Sequence, residues 1–156
     1  MRYVLIDRFL ELEPGKRARA VKCVTRGEEF LRGMEVFPAP LVLEALLQTG
    51  GVLARAGTGF SRMSVLGKVE SASFPSPARP GDRILLDVAV SLARPEGTMC
   101  DGVATVGEGP GQGRVVGRAS FLIVFVPEGM APPPDAAREE QRRRLMRALR
   151  IPAVTG

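Results

Sequence analysis

FPAPLVLEALLQTGGVLARA, residues Phe37 to Ala56, decides the fold. From Leu41 to Leu47 every residue is apolar except Glu44, and the next polar residue, Gln48, stands four positions further on. Residues four apart share one face of an α-helix, one turn from each other. A helix that is apolar on all its other sides belongs inside a domain. Pro40 fits the first turn, where a missing N–H costs nothing, and the Gly50-Gly51 pair weakens or thins the helix toward its end. The stretch reads as a buried helix carrying a short polar stripe, Glu44 and Gln48. A buried carboxylate must find partners, because burial disfavours its charged form; otherwise the stripe faces solvent or a partner subunit.

On the N-terminal side of this helix, Tyr3 to Glu13 opens apolar and then alternates, with Phe9, Leu10 and Leu12 against Arg8, Glu11 and Glu13. Pro14-Gly15 signals a turn and Lys16 to Thr25 alternates again, which predicts a β-hairpin. Gly27 to Gly33 is short and polar, with room for one helical turn at Glu28 to Leu31. On the C-terminal side, Gly57 to Ser64 reads as a loop and Val65 to Phe74 as a strand. Pro75 to Asp82, PSPARPGD, is a stiff loop that cannot be a central strand. Strands follow over Arg83 to Ala93, Gly97 to Val106 and Gly113 to Val126, the last two joined by a glycine-rich break, Gly107 to Gly113. GEGPGQG in that break resembles a phosphate-binding loop in composition alone, since it lacks the Lys-Ser/Thr end and no helix follows. Hairpin, long helix, four strands: the order is α+β, an antiparallel sheet wrapped around one long central helix.

The body spans 1–126, and 127–156 forms a Pro-rich linker and Arg-rich tail. Asp135 to Arg150 is a possible helix with sparse apolar residues, Leu145, Met146 and Leu149. It is expected to be solvated or partly disordered, and removable without unfolding the body.

At 156 residues and 45% apolar content the chain makes one domain with a proper core. No apolar run reaches transmembrane length and Asp7 interrupts the N-terminus early, which predicts a cytoplasmic protein without membrane association. The net charge is +5, of which +2 falls in the tail, where six Arg face four Asp/Glu from Pro127 onward. A basic body with one Tyr and no Trp suits an acidic protein partner better than nucleic acid. There is no histidine, which excludes His-based acid–base chemistry, Ser-His and Cys-His pairs and His-ligated metal sites. No metal or other cofactor is expected. Cys23 and Cys100 lack metal-ligand spacing and fall in predicted strands, so both are expected as inert, buried thiols.

IDRFLELEPGKRARAVKCVT, EALLQTGGVL and FPSPARPGD, in this order and spacing, resemble the FabZ-type β-hydroxyacyl-[acyl-carrier-protein] dehydratases from Tyr3 to about Val126. The resemblance implies the hot-dog fold: a dimer whose helix-wrapping sheets pair edge to edge, with the acyl chain in a tunnel at the dimer interface. It also implies a site of three parts. A histidine in a GHFP-type loop moves the α proton of the thioester. Here FLRG (Phe30 to Gly33) passes through Met34-Glu35-Val36 to Phe37-Pro38, about four residues short, and only Glu35 stands there to act as a substitute base. A carboxylate on the helix of the other subunit handles the leaving hydroxyl, and Glu44 matches it. Two backbone N–H groups at the helix start polarise the thioester carbonyl; Ala39 can donate, whereas Pro40 has no N–H to give. Acid–base catalysis by a placed side chain contributes on the order of 10²–10⁴-fold and oxyanion donors about as much, so losing both leaves no useful dehydratase by the family's route.

Three functions follow from the resemblance. The chain is a degenerate subunit that binds acyl thioesters of acyl carrier protein or CoA in fatty-acid or polyketide-type metabolism, as a homodimer or as the partner of a histidine-bearing paralogue. Alternatively it is a hot-dog thioesterase in which Glu44 and Gln48 position water, or a dehydratase with relocated chemistry.

Overall fold

Alternation along the strands lays rows of small and branched residues across one sheet face. Ala20, Leu86 and Ala104 form one such row, and Val88, Gly102 and Ala119 another. The computed structural model in which these rows are seen describes residues 4–107, 112–133 and 135–151, with the backbone alone at Arg138. Most of the glycine-rich break and both ends of the chain lie outside the described residues.

The strands are β1 (Arg8–Glu13), β2 (Arg17–Cys23), β3 (Ser64–Ser73), β4 (Arg83–Arg94), β5 (Gly97–Val106) and β6 (Arg114–Phe125). They form one antiparallel sheet in the order β1-β2-β4-β5-β6-β3. The central helix, α1 (Ala39–Ala56), packs on its inner face, as the hot-dog arrangement requires. Val42, Ala45, Leu46, Thr49 and Leu53 are spaced three or four apart and fully buried against the sheet. Gly50 is the point of closest approach. A Cβ there would stand 2.5 Å from the ring of the buried Phe121, and one on Gly117 of β6 would stand 2.8 Å from Val42. The glycine that thins the helix is thus a packing surface.

The segment before α1 is tied down by charge. The Lys22 ammonium, buried, meets the Glu28 carboxylate at 2.9 Å, and the same oxygen accepts the Thr25 N–H at 3.0 Å. A short 3₁₀ turn, Glu29–Leu31, follows. Phe37 donates its N–H to the Ala78 carbonyl (2.7 Å), which stitches the start of α1 to the Pro75-to-Asp82 loop.

Two expectations are corrected. Cys23, alternating with Ala20 and Lys22, falls on the outer face and is exposed, whereas Cys100 is fully buried with its thiol pushed up to about 12 by burial. The tail is not merely solvated. Its helix, α2 (Ala136–Ala148), starts with the Asp135 side chain accepting the Ala137 N–H at 2.9 Å. Beyond it Leu149, 6% exposed, joins the core together with Leu145 and Ile151, and its carbonyl accepts the Phe9 N–H at 2.8 Å. The tail's few apolar residues are concentrated at its end on one side, and that is enough to dock it.

Candidate functional site

Glu44 lies on the outer face of α1 and is exposed in the single chain. One turn on, Gln48 is 7% exposed and donates Nε2–H to the Glu44 carboxylate at 3.1 Å. Its Oε1 accepts the Leu5 N–H at 3.0 Å. A backbone donor on one side and a carboxylate on the other permit only one orientation of the amide. Gln48 therefore ties Glu44 to the chain entering β1, and the expected polar stripe exists as a hydrogen-bonded unit. Around it, Leu43 and Leu47 remain only partly covered by the protein's own core.

The other expected site residues lie near the start of α1. Ala39 is its first residue, and among the described residues no acceptor meets the Ala39 N–H. Pro40 has no N–H, and the next one, of Leu41, is already given to the Pro38 carbonyl at 2.9 Å. The helix end thus presents one usable donor. Beside it opens a cleft of about 250 Å³ walled by Val36, Phe37, Ala39, Val42, Phe74 and Ala78. Its lining is uncharged, and Glu44 is not part of it. Glu35 is exposed in the short loop, and among the described residues it makes neither a hydrogen bond nor an ion pair. Nothing holds it in place as a base. Its neighbours Met34 (48% exposed) and Val36 present apolar surface instead.

A second cavity was not anticipated. Residues 44, 48, 52 and 55 form one stripe of α1, and at its far end a partly open crevice of about 70 Å³ separates α1 from α2. Gln48, Val52, Arg55, Arg142, Leu145 and Leu149 are among its walls. Arg55 was not singled out in the sequence, although its spacing from Glu44 and Gln48 was the one signal that could have found it; the crevice formed with α2 left no trace there.

Residues 1–116 match the family model of the FabA-like domain. The chain is 34% identical over 131 residues to the 3-hydroxyacyl-[acyl-carrier-protein] dehydratase FabZ of Caldanaerobacter subterraneus subsp. tengcongensis, covering 81% of this chain and 89% of that one. Solved structures share the fold at lower identity. The smu.793 protein of Streptococcus mutans, bound to acetyl CoA, superposes with a TM-score of 0.66 at 14% identity, over 81% of this chain and 93% of that one. The dehydratase heterocomplex ApeI:P of Xenorhabdus doucetiae gives 0.63 at 12% identity, over 90% and 89%. No helix among the described residues is long and apolar enough to cross a membrane.

Proposed function

The chain belongs to the FabA-like, FabZ-type 3-hydroxyacyl-[acyl-carrier-protein] dehydratase family, and we propose that within it this protein is a subunit without its own histidine, contributing Glu44 to an acyl-thioester site completed by a partner chain. The observation that carries the reading is the Gln48 bridge. It holds a carboxylate at the surface of the protomer, on a helix flank whose leucines are only partly covered. A carboxylate kept in position in a chain that holds no histidine fits a site shared between chains.

The dimer forms along the β3 edge. Among the described residues β3 pairs on one side only, with β6, and it is exposed along nearly all its length, including Val65 at 51% and Leu66 at 46%. An unpaired edge carrying apolar side chains is a template for a second strand. In the shared site the partner's histidine takes the α proton, Glu44 handles the departing hydroxyl, and the Ala39 N–H polarises the thioester carbonyl from the uncharged cleft. The carrier is an acidic protein such as acyl carrier protein, attracted by the basic body, and the complex acts in the cytoplasm in fatty-acid or polyketide-type synthesis.

The test is co-purification with a histidine-bearing FabZ-type chain, followed by dehydration of a 3-hydroxyacyl carrier thioester. The chain alone is expected to be inactive. In the mixed dimer, Glu44→Gln should lower the rate on the order of 10²–10⁴-fold, while the same change in the partner's helix carboxylate leaves it intact. Failure to form a mixed dimer, or a rate indifferent to Glu44, refutes the proposal. Release of free thiol by the chain alone, lost in Glu44→Gln, would establish the thioesterase reading instead.

A further inference from the structure

Arg55 sits in the last turn of α1 with its Nε–H buried and without a hydrogen-bond partner. Part of its charge is accommodated locally. The helix C-terminus is the negative end of the dipole, the Phe60 ring lies 5.9 Å from the guanidinium carbon, and Glu139 is close enough to favour the charged form. Yet Glu139 is committed elsewhere: it takes Arg142 in a two-point pair, Nε to Oε2 at 3.0 Å and Nη2 to Oε1 at 2.5 Å. Burial, and then the neighbouring Arg142, push the Arg55 guanidinium below its ordinary range. The crevice against which it lies is otherwise walled mostly by Val52, Leu145, Met146 and Leu149.

We propose that the crevice between α1 and α2 binds a carboxylate carried on an apolar chain, anchored by Arg55. A guanidinium edge offers two parallel donors that match the two oxygens of a carboxylate, and such a bond strengthens where water is excluded. Phosphate or sulfate fits poorly: of the other polar walls, Arg142 is paired with Glu139 and Gln48 donates to Glu44, so most of its remaining oxygens would lie against aliphatic side chains. The free volume of about 70 Å³ is that of roughly two waters, which suits a carboxylate and the first methylenes behind it. The rest of the chain leaves through the open side.

Two sources present this chemistry. One is a free fatty-acid-like carboxylate. The other is the far end of a dicarboxylic acyl thioester, and this version rests on the acyl-thioester reading above. Glu44 and Arg55 lie on one stripe of α1 about 16 Å apart along its axis, so a single extended chain can reach from one to the other.

The experiment measures calorimetric binding to the full chain of octanoate, octanol and inorganic phosphate, and of palmitoyl-CoA against hexadecanedioyl-CoA, whose sixteen carbons are long enough to span the two residues. Octanoate is expected to bind at least tenfold more tightly than octanol or phosphate. Arg55→Gln should erase that preference, and Arg55→Lys should restore part of it. Hexadecanedioyl-CoA binding more tightly than palmitoyl-CoA identifies the far end of a substrate; a preference confined to octanoate identifies a free-acid site. Both outcomes support the proposal. Equal binding of octanoate and octanol, phosphate binding as tight as octanoate, or an undiminished preference in Arg55→Gln overturns it. Should that variant not fold, the comparison of octanoate with octanol on the unaltered chain decides. If octanoate binds but no thioester does, the acyl-thioester reading fails and the carboxylate site stands.

Discussion

The two ends of α1 are built in opposite ways. At its start, prolines leave one backbone donor beside an open, uncharged cleft of about 250 Å³. At its finish, a half-buried arginine, its Nε fully covered, lies against a partly open crevice of about 70 Å³ bordered by a second helix. The first end has the room a thioester needs and lacks side chains to act on it. The second has a strong charged donor and little room. The contrast shows that a charged group and an open space are separate products of folding: the N-terminal end has space and one backbone donor, while the C-terminal end has a charge in a narrow crevice because the tail folds back.

Removing α2 should break the comparison most severely. A chain ending at Gly129 loses the burial of Leu149, Leu145 and Ile151 and the acceptor of the Phe9 N–H. Burial on that scale is worth about 3–6 kcal/mol, a fall in Tm of roughly 10 °C or more in a thermal melt. A truncated chain that melts like the full one would make α2 an appendage and the second end an accident of packing.

Gln48→Ala is expected next, at about 1–3 kcal/mol by denaturant titration, because it leaves the Leu5 N–H buried without its acceptor. The same variant should release Glu44, so the mixed dimer should slow even where it remains folded. The middle of α1, where Gly50 rests on Phe121 and Phe121 pairs with Cys100, provides a reference that neither end disturbs. The Cys100 thiol is raised from 9.0 to about 12, so the unfolded chain loses that proton first as pH climbs. Stability is therefore untouched below pH 9 and falls between 9 and 12, by on the order of 1 kcal/mol at pH 10, and Cys100→Ala should flatten that part of the slope. A thiol reagent should label Cys23 in the native protein and Cys100 only after unfolding.

Ala39→Pro sharpens the contrast at the first end. Proline at the first helical position is well tolerated, so Tm should hold, while removal of the last usable donor weakens acyl-thioester binding by about 1 kcal/mol. Glu44→Gln should change stability least, within about 0.5 kcal/mol, because the carboxylate is exposed in the single chain. A larger loss would mean that Glu44 is a structural group and not one held for a partner.

The sheet-and-helix architecture was legible in the chain, since strand alternation and a long apolar helix with one polar stripe are local patterns that admit few packings. So were the need for any dehydratase histidine to come from elsewhere and the shared face of Glu44 and Gln48. Tertiary structure alone decided the rest, because burial and hydrogen bonding join residues far apart in the chain. That Gln48 holds Glu44 depends on Leu5, forty-three residues away. That Gly50 is a contact and not a weak point depends on Phe121. The docking of the tail depends on a groove on α1 and β1 that its own composition could not announce, and Arg55 became a binding group only when α2 folded over it and took Glu139 for Arg142.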